Sequence, residues 1–196
     1  MLAAAGVYWA LPEPLSVGPS WLLLAVIAVL MIPLVVSTHR GRHDIARVLA
    51  LGANGAITLA MIGSLVFLIQ GIPHHRESPE TLLRSAIALW ITNVIVFALW
   101  YWKLDAGGPV KRERTRPNCL NSSFLFPQML SQDGVDDPAW SPHFMDYLFL
   151  AFNTSTAFSP TDTAVLSRWA KAGMMLQSLI SLTILALLAA RAVNIL

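Results

Sequence analysis

The sequence predicts an all-α integral membrane protein, a helical bundle with a re-entrant, pore-type half helix before the last long transmembrane helix. Three observations carry this. Of 196 residues, 56% are hydrophobic and only 12% charged, against about 25% charged in a soluble domain. Long apolar runs recur at lengths that suit a bilayer. Between the one long polar stretch and the last apolar run stands DYLFLAFNTSTAFSPTD, Asp146 to Asp162, apolar and aromatic at its start and polar at its end. The piece from Phe144 to Thr156 has 13 residues. At about 1.5 Å per residue it reaches about 20 Å, short of a hydrocarbon core of about 30 Å. Backbone that turns back at that depth needs protein or a water-filled cavity around it.

Length and composition bound the rest. The chain suits one bundle of four to six membrane segments, in two parts: residues 1–142 with the N-terminal helices and a polar loop, and residues 143–196 with the half helix, a loop and an inner helix. Mean hydropathy is +0.61. The net charge of +2 comes with basic residues gathered in two loops; that clustering speaks to orientation in the bilayer and not to nucleic acid. The single cysteine, Cys119, excludes an intrachain disulfide and a thiolate metal cluster. No basic stretch opens the chain, so no cleaved signal peptide is expected.

Residues 2–11 are apolar and stop at Pro12-Glu13-Pro14. They suit an interfacial helix, or the tail of a helix whose start precedes Met1. The first complete span is 21–37, with Trp21 as interfacial anchor and Pro33 as a kink. The second is 45–70, with Gly52, Gly55 and Gly63 allowing close helix contact. The third is 80–102, ending in Trp100-Tyr101-Trp102-Lys103, which reads as an aromatic belt beside a cation. Residues 104–142 are polar, basic first and acidic later. Within them Phe124-Leu125-Phe126-Pro127 is apolar enough to pack back on the bundle or the membrane surface.

Lysine and arginine accumulate on the cytoplasmic side of a membrane. Arg40, Arg42 and Arg47 follow the first span; Lys103, Lys111, Arg112, Arg114 and Arg116 follow the third. Loops 38–47 and 103–116 are therefore expected in the cytoplasm. The half helix is then approached from the cytoplasm. Either the loop enters from that side, as in ionotropic glutamate receptors, or residues 144–159 cross completely as a short helix.

The candidate site is the end of the half helix. Asn153, Thr154, Ser155 and Thr156 offer an amide and three hydroxyls, followed by Ala157, Phe158 and Ser159. Around an oligomer axis such groups and their carbonyls replace the water of a permeating cation. Equally, they hydrogen-bond to neighbouring helices or to their own i−4 carbonyls. Ser159-Pro160-Thr161-Asp162 reads as a helix start, with serine as cap, proline first and the acid closing a capping box. That helix would run to Asn194. In a symmetric oligomer Asp162 is also a carboxylate ring at a pore mouth. Asp146 adds a favourable charge near the start of the half helix. Gln177, Ser178 and Ser181 form a polar stripe on the last helix, suited to lining a pore or to packing on another helix. Arg191 suits snorkelling to the interface.

No metal and no cofactor is expected. Of the loop histidines, His39, His43, His74, His75 and His143, only His39 and His43 stand four apart, and they flank Gly41 in a turn. Neither a nucleophile–base pair nor paired carboxylates mark an enzyme, and the spans hold almost no ionisable groups.

At Asp146-Tyr147-Leu148-Phe149-Leu150-Ala151-Phe152 through Thr163 the chain resembles the pore-helix and filter segment of the two-helix potassium-channel domain. Thr156-Ala157-Phe158-Ser159 stands where that filter begins, but both filter glycines are missing and Pro160 has no counterpart. Potassium selectivity is not implied. A second resemblance covers about half the chain: Trp100 to Asp105 with Gly107-Gly108-Pro109, Phe124 to Met129, Trp140 to Leu148, Thr156 to Thr163 and Ala189 to Asn194. In these it resembles a bacterial family of uncharacterised multi-pass membrane proteins, which implies the bacterial plasma (inner) membrane and no particular activity. The expectation is a cation-permeable pore in the lipid bilayer, built by a homo-oligomer, a tetramer by analogy, and passing monovalent cations. The alternative is a non-conducting structural or partner-binding membrane subunit.

Overall fold

The computed structural model describes residues 43–71, 79–114, 121–129, 140–159 and 162–193, with a few single positions before them. The span expected at 21–37, the interfacial segment 2–11, residues 38–42 with His39, the loop with His74 and His75, and Cys119 lie outside the described residues. So do Pro160, Thr161 and Asn194, and the side chain of Arg191.

The described chain is mostly helical. In order it holds α1 (His43–Gly71), α2 (Pro79–Leu104), a short 3-10 turn (Asp105–Gly107) and α3 (Pro109–Arg114). Then follow β1 (Phe124–Leu125), a second 3-10 turn (Pro127–Met129), α4 (Phe144–Thr156), β2 (Ala164–Val165) and α5 (Arg168–Val193). Three of these helices are long and apolar enough to cross a membrane, over Ile45–Gln70, Glu80–Gly107 and Arg168–Ala190. The second and third spans read from the sequence fall on α1 and α2.

Local chemistry explains the boundaries. Pro79 opens α2 where its missing N–H costs nothing, Glu80 favours the positive helix start and Lys103 the negative end. Ala106 at φ 48°, Gly107 at φ 83° and Gly108 at φ 96° then stop the helix. Gly108 has ψ 170°, a region essentially closed to side chains, and a Cβ there would stand 3.0 Å from the Lys103 carbonyl oxygen. Pro109 starts α3.

Two compact units divide the described residues. The first takes α1, α2 up to Val96, and α5 from Ser181. Its core includes Ile57, Met61, Leu89 and Ile184. Polar groups are buried among them: the amide of Asn93 donates to Ser181 Oγ at 2.9 Å, and that of Asn54 to the Val96 carbonyl at 3.3 Å. Such bonds join membrane helices where no water competes.

The second unit runs from Phe97 to Ile180. Its centre is Phe124, wholly buried, with ring centroids 5.1 Å from Tyr101, 6.1 Å from Tyr147 and 5.9 Å from Trp169. Phe126 packs on Tyr147 and Trp140. The apolar island in the polar stretch thus packs back into the fold. It also forms the one departure from an all-helical plan among the described residues. β1 pairs antiparallel with β2, Phe124 opposite Val165 and Leu125 opposite Ala164, and Leu166 N–H donates to the Ser123 carbonyl at 2.8 Å.

That pairing corrects the expected start of the last helix. Ser159 does not cap it, and Asp162 is an exposed turn residue. Residues 164 and 165 are held extended by β1, so the helix begins only at Arg168. Ser167 takes the cap position instead, its Oγ 3.4 Å from Ala170 N. The aromatic belt is corrected as well. Tyr101 and Lys103 are buried, 1% and 8% exposed, and Tyr101 belongs to the core.

Candidate functional site

The short helix α4, where the sequence leads one to expect the half helix, has 13 residues. His143 precedes it in extended conformation, and Asp146 at its third position accepts the His143 N–H through Oδ2 at 2.7 Å. The carboxylate thereby satisfies one donor of the helix start, as its position implied. Tyr147, Leu150, Ala151, Thr154 and Ser155 are buried, a stripe at i, i+3, i+4, i+7 and i+8. Met145, Phe149 and Phe152 face outward. At the far end Ala157 N–H donates to the Asn153 carbonyl at 2.8 Å, and Phe158 turns left-handed at φ 52°.

Against that stripe lies the first half of α5, and Gln177 joins the two. Its Oε1 accepts the Tyr101 hydroxyl at 2.7 Å; its Nε2 donates to the Ala151 carbonyl at 2.7 Å and to Ser155 Oγ at 2.8 Å. Every polar atom of the amide is used, and the residue is wholly buried. Ser178 Oγ adds a 3.2 Å bond to the Thr154 carbonyl. Close approach is kept by Gly173, whose added Cβ would touch the Tyr101 ring at 3.4 Å.

The residues singled out from the sequence therefore separate into three groups, buried, half-buried and exposed. Thr154 and Ser155 turn into the fold; Thr154 Oγ1 donates to the Leu150 carbonyl at 2.8 Å, and Ser155 is taken by Gln177. Gln177 and Ser181 are also wholly buried and hydrogen-bonded. Asn153 and Ser178 are half-buried. Thr156, Ala157, Phe158, Ser159 and Asp162 are exposed, with Thr156 Oγ1 bonded to the Phe152 carbonyl at 2.9 Å. Among the described residues no group of three or more His, Cys, Asp or Glu side chains gathers to hold a metal.

A second polar cluster was not found from the sequence. Asp105 is wholly buried. Its Oδ1 accepts the Ser123 N–H at 2.5 Å and its Oδ2 the Tyr147 hydroxyl at 2.6 Å. Arg112, 2% exposed, donates through Nη1 to the carbonyls of Trp102 at 2.7 Å and Asp105 at 2.8 Å. Its Cζ lies 5.0 Å from the centre of the Tyr147 ring, a cation–π contact. Burial, with Asp105 adding to it, pushes the Tyr147 hydroxyl above the usual tyrosine range. Burial also lowers the Arg112 guanidinium, opposed by Tyr147 and Asp105. The available signal was local: a carboxylate directly after an apolar span, before Gly107-Gly108, is a charge placed where burial is expected. Its partners, at 112, 123 and 147, had no periodic relation to it.

No protein-family model, curated protein or solved structure matches the chain, and a functional reading rests on these residues.

Proposed function

We propose that the protein is a non-conducting membrane subunit, structural or partner-binding, in which α4 is a packing element and its outward face meets further copies of the chain. The observation that carries this reading is the Gln177 amide. It holds Tyr101, Ala151 and Ser155 together and spends a hydroxyl that a pore would present to an ion. Met145, Phe149 and Phe152 on the outward face are apolar and suit lipid or another chain. The subunit sits in the bacterial plasma membrane, loops 38–47 and 103–116 toward the cytoplasm by the charge rule.

A homo-oligomeric cation pore is the second reading. It is favoured by the exposed run Thr156 to Ser159, with Asp162 exposed just beyond it. Flux through purified protein in liposomes separates the two. Wild type, Thr156→Val and Asp162→Asn are expected to be alike, with no cation flux at either voltage polarity. Flux that falls or changes selectivity in both variants would establish the pore. Self-association is read by disulfide cross-linking of Phe149→Cys in a Cys119→Ser background. A cross-linked dimer is expected, and a monomer at all protein densities speaks against assembly through this face.

A further inference from the structure

Arg112 holds a hydrogen-bonding capacity that the fold leaves unused. Nη1 places its two N–H groups on the carbonyls of Trp102 and Asp105. Nη2 carries two more, and it is buried without a hydrogen-bond partner. The carboxylate of the cluster does not serve it; Asp105 Oδ1 and Oδ2 accept from Ser123 N–H and the Tyr147 hydroxyl. A second unused group stands one residue from the cluster's Ser123. Ser122 is 7% exposed and its Oγ, too, is buried without a partner. Both residues are tied to Asp105, Arg112 through the main-chain carbonyl and Ser122 through its neighbour Ser123.

A buried guanidinium edge without an acceptor loses its hydration and gains nothing in return. An oxyanion supplies what both groups lack. The planar fork of arginine fits phosphate oxygens, and a serine hydroxyl donates to the same group. The setting agrees. Residues 105–112 begin at the end of the span Glu80–Gly107, and Trp102, Trp140 and Trp169 take part in the ring contacts of this unit. The end of a membrane span is the depth at which lipid headgroups lie.

We propose that Arg112 Nη2 and Ser122 Oγ form a subsite for a phosphate group, borne by an anionic phospholipid headgroup or by free phosphate. The site is independent of whether the protein conducts. A single bridging water would satisfy the same two donors, and the experiment separates the cases.

Delipidated full-length protein in detergent is titrated with phosphatidylglycerol, with inorganic phosphate and with a phosphate-free galactolipid. Thermal unfolding and native mass spectrometry report binding. Phosphatidylglycerol is expected to raise the unfolding temperature saturably and the galactolipid to leave it unchanged. An equal shift with inorganic phosphate makes the ligand the free anion; a shift with the lipid alone makes it the headgroup. Ser122→Ala removes a hydroxyl that bonds nothing, so its ligand-free unfolding temperature stays at or above wild type. Its apparent affinity falls about fivefold to tenfold. Arg112→Lys keeps the charge and loses the fork, with a loss of about tenfold or more. If Arg112→Lys does not fold, Ser122→Ala decides. No saturable shift with either phosphate ligand, or affinity unchanged in Ser122→Ala, overturns the proposal and leaves a water between the donors.

Discussion

The phenolic oxygen of Tyr147 lies 2.6 Å from Asp105 Oδ2, across 42 residues of sequence, and ties α4 to the residue that follows α2. Hydrogen bonds to a charged, buried acceptor are among the stronger ones, and leaving that acceptor short of a donor costs about 1–3 kcal/mol. Tyr147→Phe is expected to lower unfolding stability in detergent by that amount. Asp105→Asn combined with it is expected to cost less than the sum of the two, because the contact is shared. Additive losses would mean that the two groups do not support one another.

The same contact has a pH signature. The folded state holds the Tyr147 hydroxyl above its ordinary value of about 10, so only the unfolded chain loses this proton as pH first passes that value. The contribution is complete below about pH 10 and declines above it, by at most about 1.4 kcal/mol per pH unit. Wild type and Tyr147→Phe, unfolded in parallel between neutral pH and pH 11, are expected to differ in alkaline slope, with the variant flatter. Parallel curves would show that the hydroxyl titrates normally.

Gln177→Leu removes three bonds at once and leaves the Tyr101 hydroxyl without its acceptor. At about 0.6 kcal/mol per bond between membrane helices, the loss is about 2 kcal/mol. Ser178→Ala, which gives up one bond of 3.2 Å, is expected to cost under about 0.6 kcal/mol. A reversed order of the two in thermal unfolding would remove Gln177 from the centre of the α4–α5 contact.

Backbone conformation separates two further substitutions. Phe158 has a left-handed φ of 52° and an exposed ring, so Phe158→Gly relieves strain and is expected to stabilise by about 1 kcal/mol. Gly108→Ala forces a side chain into a glycine-only region against the Lys103 carbonyl and is expected to cost about 1–3 kcal/mol. Unfolding midpoints in one detergent, measured side by side, check both signs.

What the sequence made legible were the features that a single run of residues encodes. Two spans could be placed from their apolar length, and the extent of the short helix α4 from the fall in hydrophobicity between Phe152 and Thr156. Asp146 could be placed by its position in the first turn. Features set by distant partners were hidden. Ser159-Pro160-Thr161-Asp162 has good helix-start chemistry, yet Ala164 and Val165 are drawn into a strand by Phe124 and Leu125, some forty residues earlier. Tyr101 sits in a stretch with the composition of an interfacial belt, and distant partners, the Phe124 ring, Gly173 and the amide of Gln177, make it a core residue. The hydroxyls of Thr154 and Ser155 looked equally fit for an ion or a neighbouring helix. Which way they turn is decided by the face of α4 that meets α5.

The two-residue strand β2 also sets a length. Had α5 started at the serine-proline turn and run to Asn194, it would have measured roughly 50 Å, longer than a bilayer with its headgroups at about 40–45 Å. By holding Ala164 and Val165 extended, β1 limits α5 to 26 residues, or about 39 Å, the same residue count as α2. A helix of that length crosses a membrane without a projecting turn that must tilt or thin the lipid around it. A soluble-looking scrap of sheet thus keeps the last helix to about the length of a bilayer.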